Sequence, residues 1–201
     1  MDSVAPPLFR NQERDLNLTK MISTAALIVL ASCWAPPSPA QVAKDGSDGR
    51  FYDDLLDHLV GKWEVDAVVH GQKFTLEREA EWVLSHQYLR INETSREVIP
   101  WLKVPFERTI FIGFNHATKR YIWYELTVHG ADTPYEPQGF AYAARNGNVL
   151  QIEHKNGAEV VARSRLIWDP AAKTWIFRGR RVIAGKEQEP HVDQKAAAVK
   201  P

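Results

Sequence analysis

The sequence predicts an all-β protein, an antiparallel up-and-down barrel of about nine or ten strands with a short N-terminal helix. From residue 61 onward apolar and polar side chains alternate with a period of two, which is typical of half-buried strands. The pairs Asn146-Gly147 and Asn156-Gly157 separate such segments, and Asn-Gly is a strong hairpin signal. A series of hairpins must protect its edge strands, so we expect closure into a barrel, with a two-sheet sandwich as the alternative.

The individual elements follow from the same periodicities. A helix is predicted over residues 50–60, because Phe51, Leu55 and Leu59 recur at a spacing of four. Strands are predicted at residues 61–70, 73–83, 87–95, 107–114, 120–128, 138–145, 148–155, 159–169 and 174–184.

Two segments do not fit this pattern of short turns. Residues 96–106 form a long connection, which we expect to be a lid or an interrupted strand at the barrel mouth. Residues 186–201 lack periodicity and are predicted to be a disordered tail. The barrel domain is therefore expected to span residues 50–185.

The N-terminal region reads as a targeting segment. Residues 22–33 form an apolar run of signal-peptide length, shorter than the roughly 20 apolar residues that a spanning helix needs. Cleavage is expected after Ala40, which makes residues 1–40 a signal region whose true start is Met1 or Met21. Residues 41–49 then form a linker, and the mature protein is expected to be secreted or periplasmic.

Cys33 supports a competing interpretation of this region. It ends a segment that resembles a bacterial lipobox, so lipidation at Cys33 would anchor the protein to the envelope. It is also the only cysteine in the chain, which excludes an internal disulfide.

The composition narrows the possible partners and chemistries. The formal net charge is +0 and the isoelectric point is about 7.1, so there is no basic field that would favour nucleic acid. The sequence contains no nucleophile elbow, no phosphate-binding glycine loop and no close-spaced zinc motif. We therefore predict no metal and no cofactor. A haem-binding barrel would need an interior histidine, for which His154 is the one candidate on a strand.

Two motifs resemble known barrel families. The helix followed by Gly61-Lys62-Trp63 resembles the opening of lipocalin-like (calycin-type) proteins. Residues 111–122 resemble a family of exported, mostly bacterial barrel domains of unknown function, which carry a Gly-Tyr-Asp-like turn and a Lys-Arg-Tyr here. This sequence departs from that pattern at Phe114 and Asn115. The resemblance covers roughly residues 50–185.

The lipocalin resemblance implies roles for residues at the barrel floor. In lipocalins the tryptophan of this motif closes the floor beneath an arginine from a late strand. Gly61 and Trp63 are therefore expected at the floor, with Arg178 or Arg180 stacking on the indole.

Candidate binding residues come from the predicted inner faces. Arg78 lies between Leu76 and Ala80 on the apolar face of its strand, where an unpaired guanidinium would be costly. Either it is paired, with Glu125 or Glu153 as partner, or it receives the carboxylate of a ligand. The tentative binding set, which combines Arg78 with aromatic side chains of the middle strands, is Arg78, Tyr88, Tyr121, Trp123, Glu125 and Tyr142.

The leading functional hypothesis is non-catalytic binding of a small amphipathic or hydrophobic ligand inside the barrel. The first alternative is an isomerase or cyclase that uses Glu125 or a tyrosine for acid–base chemistry in the same cavity. The second is a solid barrel that serves as an envelope-structural or interaction module, for which Trp101 would mark an exposed apolar patch. The oligomeric state stays open.

Overall fold

The computed structural model describes residues 44–45, 49–130 and 139–199 of the chain. The elements within these residues are β1 (Lys44–Asp45), β2 (Phe51–Tyr52), α1 (Asp54–Asp57), β3 (Gly61–Val69), β4 (Gln72–Val83), β5 (Tyr88–Ile99), β6 (Val104–Asn115), β7 (Arg120–Thr127), β8 (Phe140–Asn146), β9 (Val149–Asn156), β10 (Glu159–Asp169), β11 (Thr174–Ile183) and β12 (Lys186–Ala198).

Strands β3 to β12 form a closed antiparallel barrel. Each strand pairs with the next along the chain, and β12 pairs with β3 to complete the ring. The all-β, up-and-down barrel predicted from the sequence is therefore confirmed, with ten strands. Alternation places Trp63, Val65 and Ala67 inside and their neighbours outside, so the period of two in the sequence corresponds to two faces of one wall.

The predicted disordered tail is wrong. Residues 186–198 form β12, which pairs with β11 on one side and with β3 on the other. The sequence gives little sign of this strand, because it has few inward apolar side chains. Val192 and Ala196 supply most of them, and Gln194 between them is a buried polar residue. The barrel thus extends beyond the predicted boundary at residue 185.

The predicted long connection is a hairpin. Strand β5 continues to Ile99 and β6 begins at Val104, so only residues 100–103 form the turn. The register shifts between Thr94 and Val98, which is the position of a β-bulge or irregularity. This irregularity, together with Pro100 and Pro105, explains why alternation alone did not reveal the strand ends.

The N-terminal helix is shorter than predicted. Residues Phe51–Tyr52 pair with Lys44–Asp45 as a small separate sheet, and α1 covers only Asp54–Asp57. Asp53 caps the helix, since its Oδ1 accepts a hydrogen bond from the Leu56 backbone N at 2.8 Å. Leucines 55, 56 and 59 are buried in the barrel core, so this segment closes one end of the barrel.

A polar network that is buried at Asp53 and exposed at Asp54 connects this segment to the wall. The Tyr121 hydroxyl donates to Asp53, and Arg145 Nη1 donates to Asp54 Oδ1 at 2.5 Å. Arg145 also contacts Asp53 at 3.4 Å. Strands β7 and β8 therefore hold the closed end through charge-assisted hydrogen bonds.

Trp63 lies at the closed end, but the expected arginine does not cover it. The indole Nε1 donates to the Leu59 carbonyl at 2.7 Å, and Trp168 packs edge-on against the ring at 6.4 Å. Arg178 is half exposed and pairs with Asp193 at 3.4 Å, while Arg180 donates to the Gln188 carbonyl. Both arginines are at even-numbered positions of β11 whereas the buried Trp175 is at an odd-numbered one, so they project from the outer face of the strand. The floor prediction for Arg178 and Arg180 was wrong.

Gly61 has a conformational role at the start of β3. Its φ of +127° is one that L side chains rarely adopt, so glycine is needed where the chain leaves the helical segment and enters the wall.

The targeting predictions for residues 1–40, including Cys33 and Ala40, lie outside the described residues. Within the described part of the chain, no helix is long and apolar enough to cross a membrane.

Candidate ligand-binding cavity

The barrel is hollow toward the end opposite α1. A cavity of about 380 Å³ lies between the inner faces of the strands. This volume falls within the range of small-molecule sites, roughly 300–1,000 Å³. Six apolar side chains form much of its wall: Phe74, Ile99, Trp101, Leu102, Phe106 and Phe177.

Aromatic side chains and histidines gather where the cavity reaches the turns, a region we call the mouth. The Trp101 ring, carried by the β5–β6 turn, packs edge-on against Phe74 at 5.7 Å and against His70 at 6.0 Å. His191 lies 6.3 Å from His70, between ring centroids. The mouth therefore presents flat surfaces suited to an apolar or aromatic body.

Deeper in the cavity is a set of polar side chains, which we call the polar floor: Arg108, Glu125, His154, Ser164 and Gln194. Arg108 is central to it. Its guanidinium carbon lies 5.5 Å from the ring centre of Phe177 and 5.7 Å from that of Phe106. Its Nη1 is 3.6 Å from Glu125 Oε1, and Glu125 Oε2 accepts a hydrogen bond from Trp123 Nε1 at 3.1 Å.

Behind the polar floor lies a buried carboxylate shared by two arginines. Glu93 Oε1 accepts from Arg78 Nε at 2.7 Å, and Glu93 Oε2 accepts from Arg108 Nε at 2.9 Å. Burial raises the pKa of Glu93, but the charges of Arg108 and Arg78 outweigh that effect and lower the pKa to about 2. Glu93 is therefore an anion at neutral pH. The two arginines and the two glutamates 93 and 125 balance each other in charge.

Two imidazoles near the polar floor are neutral. Burial lowers the pKa of His154 to about 4, against the opposing influence of Glu125. His154 Nε2 lies 3.4 Å from the Ser164 hydroxyl. Burial and the charge of Arg181 lower the pKa of His191, while a hydrogen bond with the backbone of Gly179 acts in the opposite direction.

Two of the sequence-predicted binding residues prove to be structural side chains of the interior. Arg78 is buried as expected, but its partners are Glu93 and Gln194 in place of the predicted Glu125 or Glu153. It does not line the cavity. Tyr121 is interior at the closed end, held by Asp53.

Two more predicted residues lie at the cavity. Glu125 lines it directly. Trp123 is buried inside the barrel beside the cavity, and its ring stacks on Phe177 with 6.1 Å between centroids. The middle strands therefore contribute to the site, with fewer aromatic side chains than predicted.

The remaining two predicted residues face outward. Tyr88 covers Gly113, where an added Cβ would lie 2.6 Å from Tyr88 Cε1. Tyr142 lies under Arg120, whose guanidinium carbon is 4.4 Å from the ring centre. Both tyrosines have the opposite parity to buried neighbours such as Leu89 and Ala141. They pack against neighbouring side chains on the outer surface of the barrel wall.

Sequence reasoning missed several residues that the structure places at the site. Glu93 and Arg108 alternate in step with buried Ile91 and Ile110, so strict parity would have marked both as inward charges. Gln194 and His191 had no such signal, because their strand was not recognised. His154 was expected inside and is buried there.

Among the described residues, no group of three or more histidine, cysteine, aspartate or glutamate side chains could hold a metal ion. The site thus consists of a cavity with an aromatic mouth and a charge-balanced polar floor, in a hollow antiparallel β-barrel. In comparisons with known proteins the sequence matches no family model and no curated protein.

Proposed function

We propose that this protein binds a small amphipathic molecule inside its barrel, without transforming it. The single observation that carries the proposal is the cavity of about 380 Å³, apolar and aromatic at the mouth and polar at the floor. An amphipathic ligand would place its polar end on the floor and its body among Phe74, Trp101 and Phe106. In this proposal the barrel is lipocalin-like, although it has ten strands where lipocalins have eight.

Two features support binding over the alternatives. Glu125, the carboxylate that acid–base catalysis would use, is engaged by Arg108 and by Trp123. Trp101 lines the mouth of the cavity, which favours a role in ligand contact over a separate docking patch. We further propose that the barrel acts in the periplasm or outside the cell, on the strength of the signal-like residues 22–33.

The proposal is tested with Nile red, an uncharged dye whose fluorescence rises in apolar surroundings, and the full chain. We expect saturable one-to-one binding. Thr127→Trp fills the cavity from the inner face of β7 and should abolish binding, whereas Leu126→Trp places the same indole on the exposed outer face and should leave binding unchanged. Absence of saturable binding, or equal binding by the two folded variants, would refute the function.

A further inference from the structure

The wall of the cavity carries one positive charge that is not compensated, and it belongs to Arg181. Apart from histidines, the charged side chains among the described lining residues are Arg108, Glu125 and Arg181. Arg108 is engaged by Glu93 and Glu125. Glu93 also holds Arg78, so these two arginines and two glutamates cancel. Arg181 makes no ion pair with any residue in the described part of the chain.

Two acidic side chains of the neighbouring strand β12 are engaged by other arginines. Glu187 lies 3.5 Å from Arg163, and Asp193 lies 3.4 Å from Arg178, between their charged atoms. Neither carboxylate neutralises Arg181, although both belong to the strand that pairs with its own. The guanidinium is therefore open to a negative group from outside the chain.

The inner face beside Arg181 leaves room for such a group. Its cross-strand neighbour on β10 is Ala162, and the preceding cavity-lining residue of β11 is Gly179. A Cβ on Gly179 would lie 3.3 Å from His191 Cε1 and 3.5 Å from Ser164 Oγ, so a side chain there would crowd the cavity. Because both neighbours are small, Arg181 borders open space on the inner face of the wall.

The position of Arg181 at the mouth suits an ion better than the polar floor does. Arg181 lies close to the end of β11 and is exposed while it lines the cavity. Burial and the charge of Arg181 lower the pKa of His191, so the guanidinium acts directly on the mouth. An anion here keeps part of its hydration, and the penalty that opposes full burial of an ion is avoided.

From these contacts we propose that the cavity selects ligands with one negative charge, of carboxylate type, at the end of the apolar body that stays at the mouth. The inference rests on the proposed binding function and names its ligand class. The carboxylate pairs with Arg181, the planar body lies against Phe74 and Trp101, and an uncharged polar group reaches the floor. One guanidinium matches one carboxylate, so a monoanion is the expected class.

The test compares two probes with the same aromatic body, 6-hydroxy-2-naphthoate and its uncharged counterpart 6-hydroxy-2-naphthamide. Their dissociation constants for the full chain are measured by isothermal titration calorimetry at about pH 7.5, where a carboxylate is ionised. We expect the naphthoate to bind about three- to tenfold more tightly, between the values for an exposed ion pair and a buried charge-assisted hydrogen bond. Added salt should reduce this difference, because it screens exposed charges.

Substitutions of Arg181 test the residue that carries the preference. Arg181→Gln should lower naphthoate affinity to that of the amide and leave amide affinity unchanged. Arg181→Lys retains the charge and should retain most of the preference. Arg178→Gln is the matched control, because it removes the same charge from the outer face of the same strand and should change neither affinity.

The outcomes separate this inference from the proposed function. If Nile red binds while the naphthoate binds no more tightly than the amide, the proposed function stands and the charge preference is wrong. If Arg178→Gln weakens naphthoate binding as much as Arg181→Gln does, the assignment to Arg181 is wrong. If neither Nile red nor either probe binds, the proposed function fails as well.

Discussion

Glu93 and Arg78 lie directly opposite each other in the β4–β5 register, with Arg78 Nε 2.7 Å from Glu93 Oε1. Both side chains are almost completely buried, and Arg108, opposite Glu93 on the other side, shares the same carboxylate. Three neighbouring strands are thus connected by one ion cluster behind the cavity. The register of the wall and the electrostatics of the site depend on the same three residues.

Neutralising the shared carboxylate should destabilise the barrel strongly. Glu93→Gln leaves two buried guanidinium groups without their common anion, and losing one partner of a buried ion pair costs about 3 to 5 kcal/mol. Urea denaturation followed by circular dichroism measures the free energy of unfolding. Glu153→Gln breaks only the half-exposed pair with Arg163 and should cost less than about 1 kcal/mol. Similar losses in both variants would contradict the assigned role of Glu93.

The free energy of unfolding should fall as the pH is lowered from about 6.5 to 4. His154 has a pKa of about 4 in the fold against 6.5 in the unfolded chain, so the unfolded chain takes up the proton first. The contribution of His154 to the free energy of unfolding is fully present above pH 6.5 and is lost progressively down to pH 4. It amounts to roughly 3 kcal/mol. The lowered pKa of His191 acts in the same direction below pH 6.5.

Denaturation curves at several pH values test this assignment. His154→Gln should flatten the pH dependence between 6.5 and 4, while His129→Gln, which removes an exposed imidazole, should retain it. An unchanged slope in His154→Gln would show that other groups carry the effect. Glu93 affects the free energy of unfolding at lower pH, because the stabilisation from its ionised form is lost between about pH 4.5 and about pH 2.

The closed end should influence stability but not binding. Tyr121→Phe removes one donor from buried Asp53, which should lower the free energy of unfolding by about 1 to 3 kcal/mol. Nile red affinity should stay unchanged, since Tyr121 does not line the cavity. Tyr124→Phe, on the partly exposed outer wall, is the control and should change neither quantity. A loss of affinity in Tyr121→Phe would mean that the two ends are coupled.

The fold could be predicted well from the sequence because alternation and Asn-Gly turns are local signals. Prediction fails where the local signal is weak. Strand β12 has few inward apolar residues, so its sequence predicts a tail and not a tenth strand. The position of the ends of β5 and β6 was similarly obscured by an irregular register.

The candidate site was harder to predict than the fold. Arg78 was recognised as an inward charge, but its partner could not be identified, because strand parity gives the face of a residue and not its neighbour across the barrel. The tyrosines 88 and 142 were assigned to the interior by residue type, although their parity places them outside. Gln194 and His191 line the cavity from β12, and because that strand was not recognised in the sequence, no pattern placed them at the site.

Removing β12 should prevent formation of the barrel. A chain that stops after residue 185 leaves β3 and β11 as exposed edges, which promote association between chains. Size-exclusion chromatography should show aggregates or an expanded species, whereas a chain that stops after Val199 should elute as the intact protein does. A well-folded monomer after the first truncation would contradict the closure described here.

Pairing of the first and last barrel strands also has a kinetic consequence. Trp63 is opposite Ala198, so the ring is completed only after every intervening strand has been made and ordered. Contacts this distant in sequence carry a large loop-closure entropy, so we expect this pairing to form late in folding. During synthesis, the nascent chain carries β3 with an unsatisfied edge until residue 198 has emerged. The last strand to be synthesised is therefore the one that converts an open sheet into a ring.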